Sequence, residues 1–166
     1  MALPHPLSIR EITPAEFDLV WPIFRTVIET GDTYALAPST SFEEARGWWM
    51  GLSARVFVAE RNGKVVGTSV VKPNQPGLGD HVANAGYMVA PEARGQGIAR
   101  ELCEHSMGEA RKAGFTAMQF NYAVSTNEGA VRLWQKCGFT IVGTVPGAFR
   151  HAQLGPVDVY VMHRML

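Results

Sequence analysis

Between residues 88 and 100 the chain reads MVAPEARGQGIAR. An apolar run stops at Pro91, Gly95 and Gly97 follow one residue apart, and a helically spaced run of small and apolar residues starts at Ile98 and Ala99. Proline has no N–H and so ends a strand without orphaning a donor, while glycine turns the backbone through conformations closed to other residues. The order predicts a strand that passes through a tight turn straight into a helix. A fold built on that unit must pack helices on a sheet.

The flanking sequence extends the unit in both directions. A strand around Leu7–Ile12 comes first, and Thr13 with Glu16 three residues later is a capping-box pattern for a helix running to about Gly31. Ser41 and Glu44 repeat the pattern for a short second helix that ends near Trp48, Trp49 and Met50, one tryptophan expected in the core and one at the surface. In RVFVAERNGKVVGTSVV, Asn62-Gly63 separates two β-rich runs, the signature of a tight hairpin. KPNQPGLGD (72–80) is a loop, and His81–Val89 is the next strand. A helix from Gly97 to Gly114, a strand over 115–123, a helix in STNEGAVRLWQKCGF and two strands in FTIVGTV and VDVYVMHRM complete the order βααβββαβαββ. One α/β domain over 1–166 accounts for all of it, which suits a chain of 166 residues at 46% hydrophobic composition.

Composition removes several classes of function. Fifteen basic and fifteen acidic residues leave no net field to draw nucleic acid or an anionic membrane. No apolar run reaches the roughly 18 residues of a membrane span, and MALPHPLSIR carries prolines where a leader needs an apolar core, so the expected location is cytoplasmic. Cys103 and Cys137 are far apart and lack metal-ligand or redox spacing, so no metal site is expected and both thiols should be reduced.

With no global charge, an anion must be held locally, and the turn at 94–99 is built for that. Its backbone N–H groups point outward at the positive end of a helix dipole, the glycines clear Cβ atoms from the approach, and Arg94 adds charge. A phosphate-binding P-loop would need Lys-Ser/Thr where Ile98-Ala99 stands, and a dinucleotide fingerprint would need glycine at Arg100. A plain helix start, with glycines that only make the turn, is the alternative from these residues alone.

Arg94-x-x-Gly97-x-Ala99 resembles the Q/R-x-x-G-x-G/A signature of the GNAT superfamily of N-acetyltransferases, and NEGAVRLWQKCGF resembles its second segment, N-x-x-A-x-x-L-Y-x-K-x-G-F. The resemblance covers about Ser53 to Val142. It implies a mixed, mostly antiparallel sheet flanked by helices, with two central strands that splay apart. It further implies that acetyl-CoA is the co-substrate. Its pyrophosphate would lie on Arg94, Gly95, Gln96, Gly97, Ile98 and Ala99, and its arm against Met88, Val89, Ala90, Asn127 and Trp134. The amide of Met88 or Val89 would stabilise the oxyanion. From local sequence, Asn127 serves equally as a helix N-cap.

The chain departs from the family pattern at one place: the tyrosine that protonates the leaving thiolate in many members is Trp134 here, and an indole N–H delivers no proton. Water, Tyr122 or Cys137 would have to serve. Candidates for the base are His81, Asp80, Glu29, Asp32 and Tyr87. The acceptor site is expected at ETGDTYALA (29–37), with Asp32, Thr33 and Tyr34, together with Trp48, Trp49 and the Asn121-Tyr122 pair. Asn121, Val89 and Tyr122 are the candidate catalytic residues. MQFNYAVSTN and LWQKCGF are similar to acetyltransferases of small amino-acid or imino-acid analogues. A small amine is therefore the expected acceptor, against the alternatives of a peptide or protein N-terminus and of a non-catalytic acyl-CoA sensor. A homodimer through the C-terminal strands is common in the family.

Overall fold

A computed structural model describes residues 6–166; Pro4, one of the prolines weighed against a leader, lies outside them. The elements are β1 (Ser8–Ile12), α1 (Trp21–Glu29), α2 (Phe42–Trp49), β2 (Arg55–Arg61), β3 (Lys64–Pro73), β4 (Val82–Val89), α3 (Ile98–Lys112), β5 (Ala117–Val124), α4 (Glu128–Lys136), β6 (Thr140–His151) and β7 (Gly155–Met165). They form one seven-stranded sheet in the order β1-β2-β3-β4-β5-β7-β6. Every neighbouring pair is antiparallel except β4 and β5.

Local chemistry explains most boundaries. Asn62 and Gly63 take positive φ values of 54° and 72°, as a two-residue hairpin with right-twisted strands requires. At α2 the capping box forms: Ser41 N–H donates to Glu44 Oε2 at 2.8 Å and Glu44 N–H to Ser41 Oγ at 3.3 Å. Gly31, Gly114 and Gly138 end helices with φ of 64°, 91° and 89°.

Two expectations need correction. The helix expected from Thr13 to Gly31 is broken into a 3₁₀ turn, Pro14–Leu19, and α1, with Val20 capping both. Pro22 is the cause, since a proline fits only in the first turn of a helix. The sixth strand is also longer than FTIVGTV. It runs through Pro146 and Gly147 to His151 and absorbs them in a register shift between Val145 and Phe149, with an earlier shift between Ile141 and Gly143. Gly147 N–H donates to Asp158 Oδ1 at 2.9 Å in place of a ladder bond.

Alternate residues of the strands feed two cores. Val56, Val58, Val70 and Met88 pack with Phe17, Phe24 and Trp49 from the first helical segments. Phe57, Val71, Ala83 and Ala85 pack with Cys103 and Met107 of α3, Val131 of α4, and Phe139. Trp49 is 1% exposed and donates through Nε1 to Thr68 Oγ1 at 3.3 Å, whereas Trp48 is 44% exposed. Gly86 lets Trp49 and Tyr34 close on β4, because a Cβ there would sit 3.3 Å from each.

Candidate active site

The site begins where the one parallel pairing ends. β4 and β5 are in register only over Val82–Asn84 and Ala117–Gln119, and beyond those residues they part. Antiparallel pairing makes successive residues of β4 face opposite neighbours. Asn74 N–H bonds Val82 O at 2.8 Å and Ala90 N–H bonds Val66 O at 2.9 Å, so even-numbered residues of β4 bond to β3. Tyr87 and Val89 then turn their N–H and C=O groups into the gap. Tyr87 is occupied, since the Tyr34 hydroxyl donates to its carbonyl at 2.8 Å and accepts from its N–H at 3.1 Å. Of Met88, Val89 and Ala90, against which the arm is expected to lie, Val89 is the one with backbone groups left open to bond it.

The loop after β4 supplies the second half. Gly95 and Gly97 have φ of 74° and 79°, and an added Cβ at either would meet nothing within 4 Å, which leaves open space over the turn. Gly97 caps α3, Glu101 N–H is the one that takes its carbonyl at 3.1 Å, and no side chain caps this end. The amides of Ile98, Ala99 and Arg100 thus precede the first intrahelical bond. The Ile98 side chain is buried in the core, so only its backbone serves the loop. Gln96 turns its side chain to brace the turn, accepting from Arg61 Nη1 at 2.8 Å and donating to Glu92 O at 3.3 Å. These groups fit the pyrophosphate of acetyl-CoA: the cradle is one a Cβ would fill, and its donors lack protein partners.

A cleft of about 750 Å³ joins gap and loop. Met88, Val89, Arg94, Ala99, Asn127 and Trp134 line it, as do Asp32, Thr33, Tyr34, Asn121 and Tyr122. Asn127 does not cap α4 with its side chain. Trp134 packs on Tyr87 and Phe120 with ring centroids 4.8 and 5.4 Å away, as part of the wall. Asn121 and Tyr122 sit in the bulge where β5 slips against β7. Asn121 donates to Asn74 Oδ1 at 2.7 Å and accepts from Gln119 Nε2 at 2.9 Å, and the Tyr122 hydroxyl donates to Ala148 O. Asp32 accepts from Thr30 Oγ1, and Thr33 Oγ1 is buried without a protein partner.

Of the base candidates, His81 and Asp80 are outside the cleft lining, and Glu29 pairs with Arg25 at 2.8 Å. Tyr87 bonds Ser106 at 2.6 Å, and burial pushes its phenol well above the usual range. Asp32 is the carboxylate that lines the cleft. Burial likewise raises the Tyr34 phenol, against the pull of the Tyr87 backbone. Sequence reasoning missed Lys72 and His151, which also line the cleft. His151 Nδ1 accepts from Gln153 and Leu154 N–H at 3.1 and 3.3 Å, which places the proton of the neutral ring on Nε2. Single residues of this kind have no spacing to announce them.

Both cysteines are buried and unbridged. Burial is the main cause that lifts the Cys103 thiol far above its ordinary range, with Cys137 beside it. Direct transfer without an acetyl-cysteine is the expected route, and a Cys103→Ala, Cys137→Ala variant should retain turnover within about threefold of wild type. Trapping an acetylated cysteine that proceeds to product would overturn this. Among the described residues no three metal-ligating side chains gather, and no helix is long and apolar enough to cross a membrane.

A splayed parallel pair with a glycine turn feeding a helix is the architecture of an acyl-CoA-dependent acyltransferase. The sequence profile of the Acetyltransferase (GNAT) family matches residues 17–139, and the chain belongs to that family. It is similar to N-acetyltransferase aca1 of Schizosaccharomyces pombe, 36% identical over 98 residues, which are 58% of this chain and 47% of that protein. The chain thus matches about half the length of that relative. Among solved structures, a GCN5-related N-acetyltransferase from Kribbella flavida is 44% identical with a TM-score of 0.90, covering 96% of this chain and 98% of its own. A ribosomal-protein-alanine N-acetyltransferase from Brucella melitensis is 27% identical with a TM-score of 0.81, covering 96% and 99%.

Proposed function

We propose that the chain transfers the acetyl group of acetyl-CoA directly to the amine of a small molecule, an amino acid or amino-acid analogue. In this reading Arg94 and the amides of residues 95–99 hold the pyrophosphate and Asn127 bonds the arm. Val89 N–H donates to the thioester oxygen as charge gathers there under attack by the amine. Asp32, Thr33 and Asn121 hold the acceptor, and Asp32 takes the proton that the amine gives up. Tyr122, which lines the cleft beside Asn121, is the phenol that returns a proton to the thiolate once it releases Ala148, the Tyr34 hydroxyl being held by Tyr87.

One observation supports a small acceptor above the others. Ala152 N–H, at the tip of the β6–β7 hairpin, donates to Gly31 O at 2.9 Å, and its Cβ lies 2.9 Å from where a Gly31 Cβ would be. That contact pins the hairpin beside His151 to the turn before Asp32, both of which line the cleft, and in this reading it narrows the acceptor end against an extended peptide. The similarity to a ribosomal-protein-alanine N-acetyltransferase favours a protein N-terminus as the second reading.

A thiol-release screen over amino acids, imino acids, their toxic analogues, polyamines and short peptides separates the two. Amino acids should turn over, and turnover of peptides alone would reverse the assignment. Asn121→Ala should lower kcat/KM for the best small acceptor about tenfold to a hundredfold, the loss of one polar contact worth roughly 1–3 kcal/mol, with acetyl-CoA affinity unchanged. Wild-type behaviour on that acceptor would remove Asn121 from the site.

A further inference from the structure

The charges that line the acceptor end of the cleft are unequal in how they are used. Asp32 is engaged by Thr30. Lys72, near the end of β3, is half-buried, lines the same cleft and lies with Nζ 5.9 Å from the centroid of the Trp48 ring. Among the described residues it has no carboxylate within ion-pair distance, although nine other ion pairs form across the molecule. A half-buried ammonium that lines a cleft with no carboxylate beside it is open to a charge-assisted bond from a ligand's anion. Arg94, the other cation of the cleft, is on the loop that opens α3.

We infer that Lys72 Nζ is the seat of the acceptor's carboxylate, a specificity contact that selects amino acids over simple amines. The inference rests on the small-acceptor reading above and deepens it. A zwitterion brings one cation and one anion, and this end of the cleft offers Asp32 and Lys72 as their complements. Lys72 stands across the ladder from Asn84, whose side chain also lines the cleft and whose Nδ2 donates to Gln119 O at 3.0 Å. The Lys72 ammonium itself lies 5.9 Å from the Trp48 ring centroid, at the wall of the cleft, where it is placed to make a charge-assisted bond to a carboxylate. The backbone of β3 fixes the position, since Val71, Lys72 and Pro73 all pair with β4.

The test compares an amino acid with its decarboxylated amine in the wild type, Lys72→Met and Lys72→Arg. Methionine keeps an apolar stem of similar length and removes the charge. The wild type should prefer the amino acid in kcat/KM, and Lys72→Met should lower that preference about tenfold to a hundredfold, mainly through KM, with acetyl-CoA affinity and melting temperature unchanged. Lys72→Arg should restore most of it. A preference that survives in Lys72→Met, or an equal loss on both acceptors, would overturn the lysine's role and leave the small-acceptor reading standing. A wild type that ignores the carboxylate altogether would overturn both.

Discussion

Gly97→Asn is expected to lower acetyl-CoA affinity at least a hundredfold, about 3 kcal/mol, while the protein stays folded. Gly97 holds φ at 79°, and asparagine tolerates that left-handed conformation better than any other residue with a sizeable side chain. The space over its Cα is open, so the new amide would project across the N–H groups of α3 that the pyrophosphate needs. Gly97→Val makes the complementary comparison. It blocks the same approach but forces a β-branched residue to positive φ, so it should lose melting temperature as well as affinity. Calorimetric titration paired with thermal unfolding separates the two effects. An asparagine variant that binds acetyl-CoA like the wild type would remove the loop from the binding site.

The second large effect is on stability. Tyr34→Phe removes one oxygen that serves two backbone groups of Tyr87, both turned into a gap where no strand can satisfy them. Leaving a buried N–H and C=O unpaired costs about 1–3 kcal/mol each, so the melting temperature should fall by roughly 5–15 °C. A secondary loss in kcat should follow, because Val89 is two residues further along the loosened strand. A fall of less than about 2 °C would mean that water replaces the hydroxyl at no cost.

Tyr34 also shows why part of the site was hidden from the sequence. Its partner is 53 residues away, and nothing in ETGDTYALA marks a tyrosine that completes a strand edge. Features fixed within a few residues were legible. Asn62-Gly63 demanded positive φ, Ser41 and Glu44 bonded each other, and the Gly-Arg turn announced its helix. The splay itself came through resemblance, since no local propensity says where two strands stop pairing. Which amide faces the gap depends on register: Met88 and Ala90 read like Val89 in sequence, and only the bond from Ala90 N–H to Val66 O assigns them to β3. Pro146-Gly147 looked like the end of a strand because Asp158, which repairs the ladder, is eleven residues further on. The Gln96 side chain is claimed by Arg61, 35 residues earlier, which leaves only its backbone amide for a ligand.

The parted strands have a consequence for the whole molecule. A sheet of seven strands is joined near its middle by three residue pairs between β4 and β5, against seven between β3 and β4. That junction is a seam, and a long ligand bound there as proposed would fasten one side of the domain to the other. Occupancy and resistance to unfolding then become a single linked quantity, with a hundredfold excess of ligand over its dissociation constant adding about 2.7 kcal/mol to the folded state. On the proposed placement the domain would be finished by the molecule it consumes, and each turnover would briefly return the fold to its weaker form.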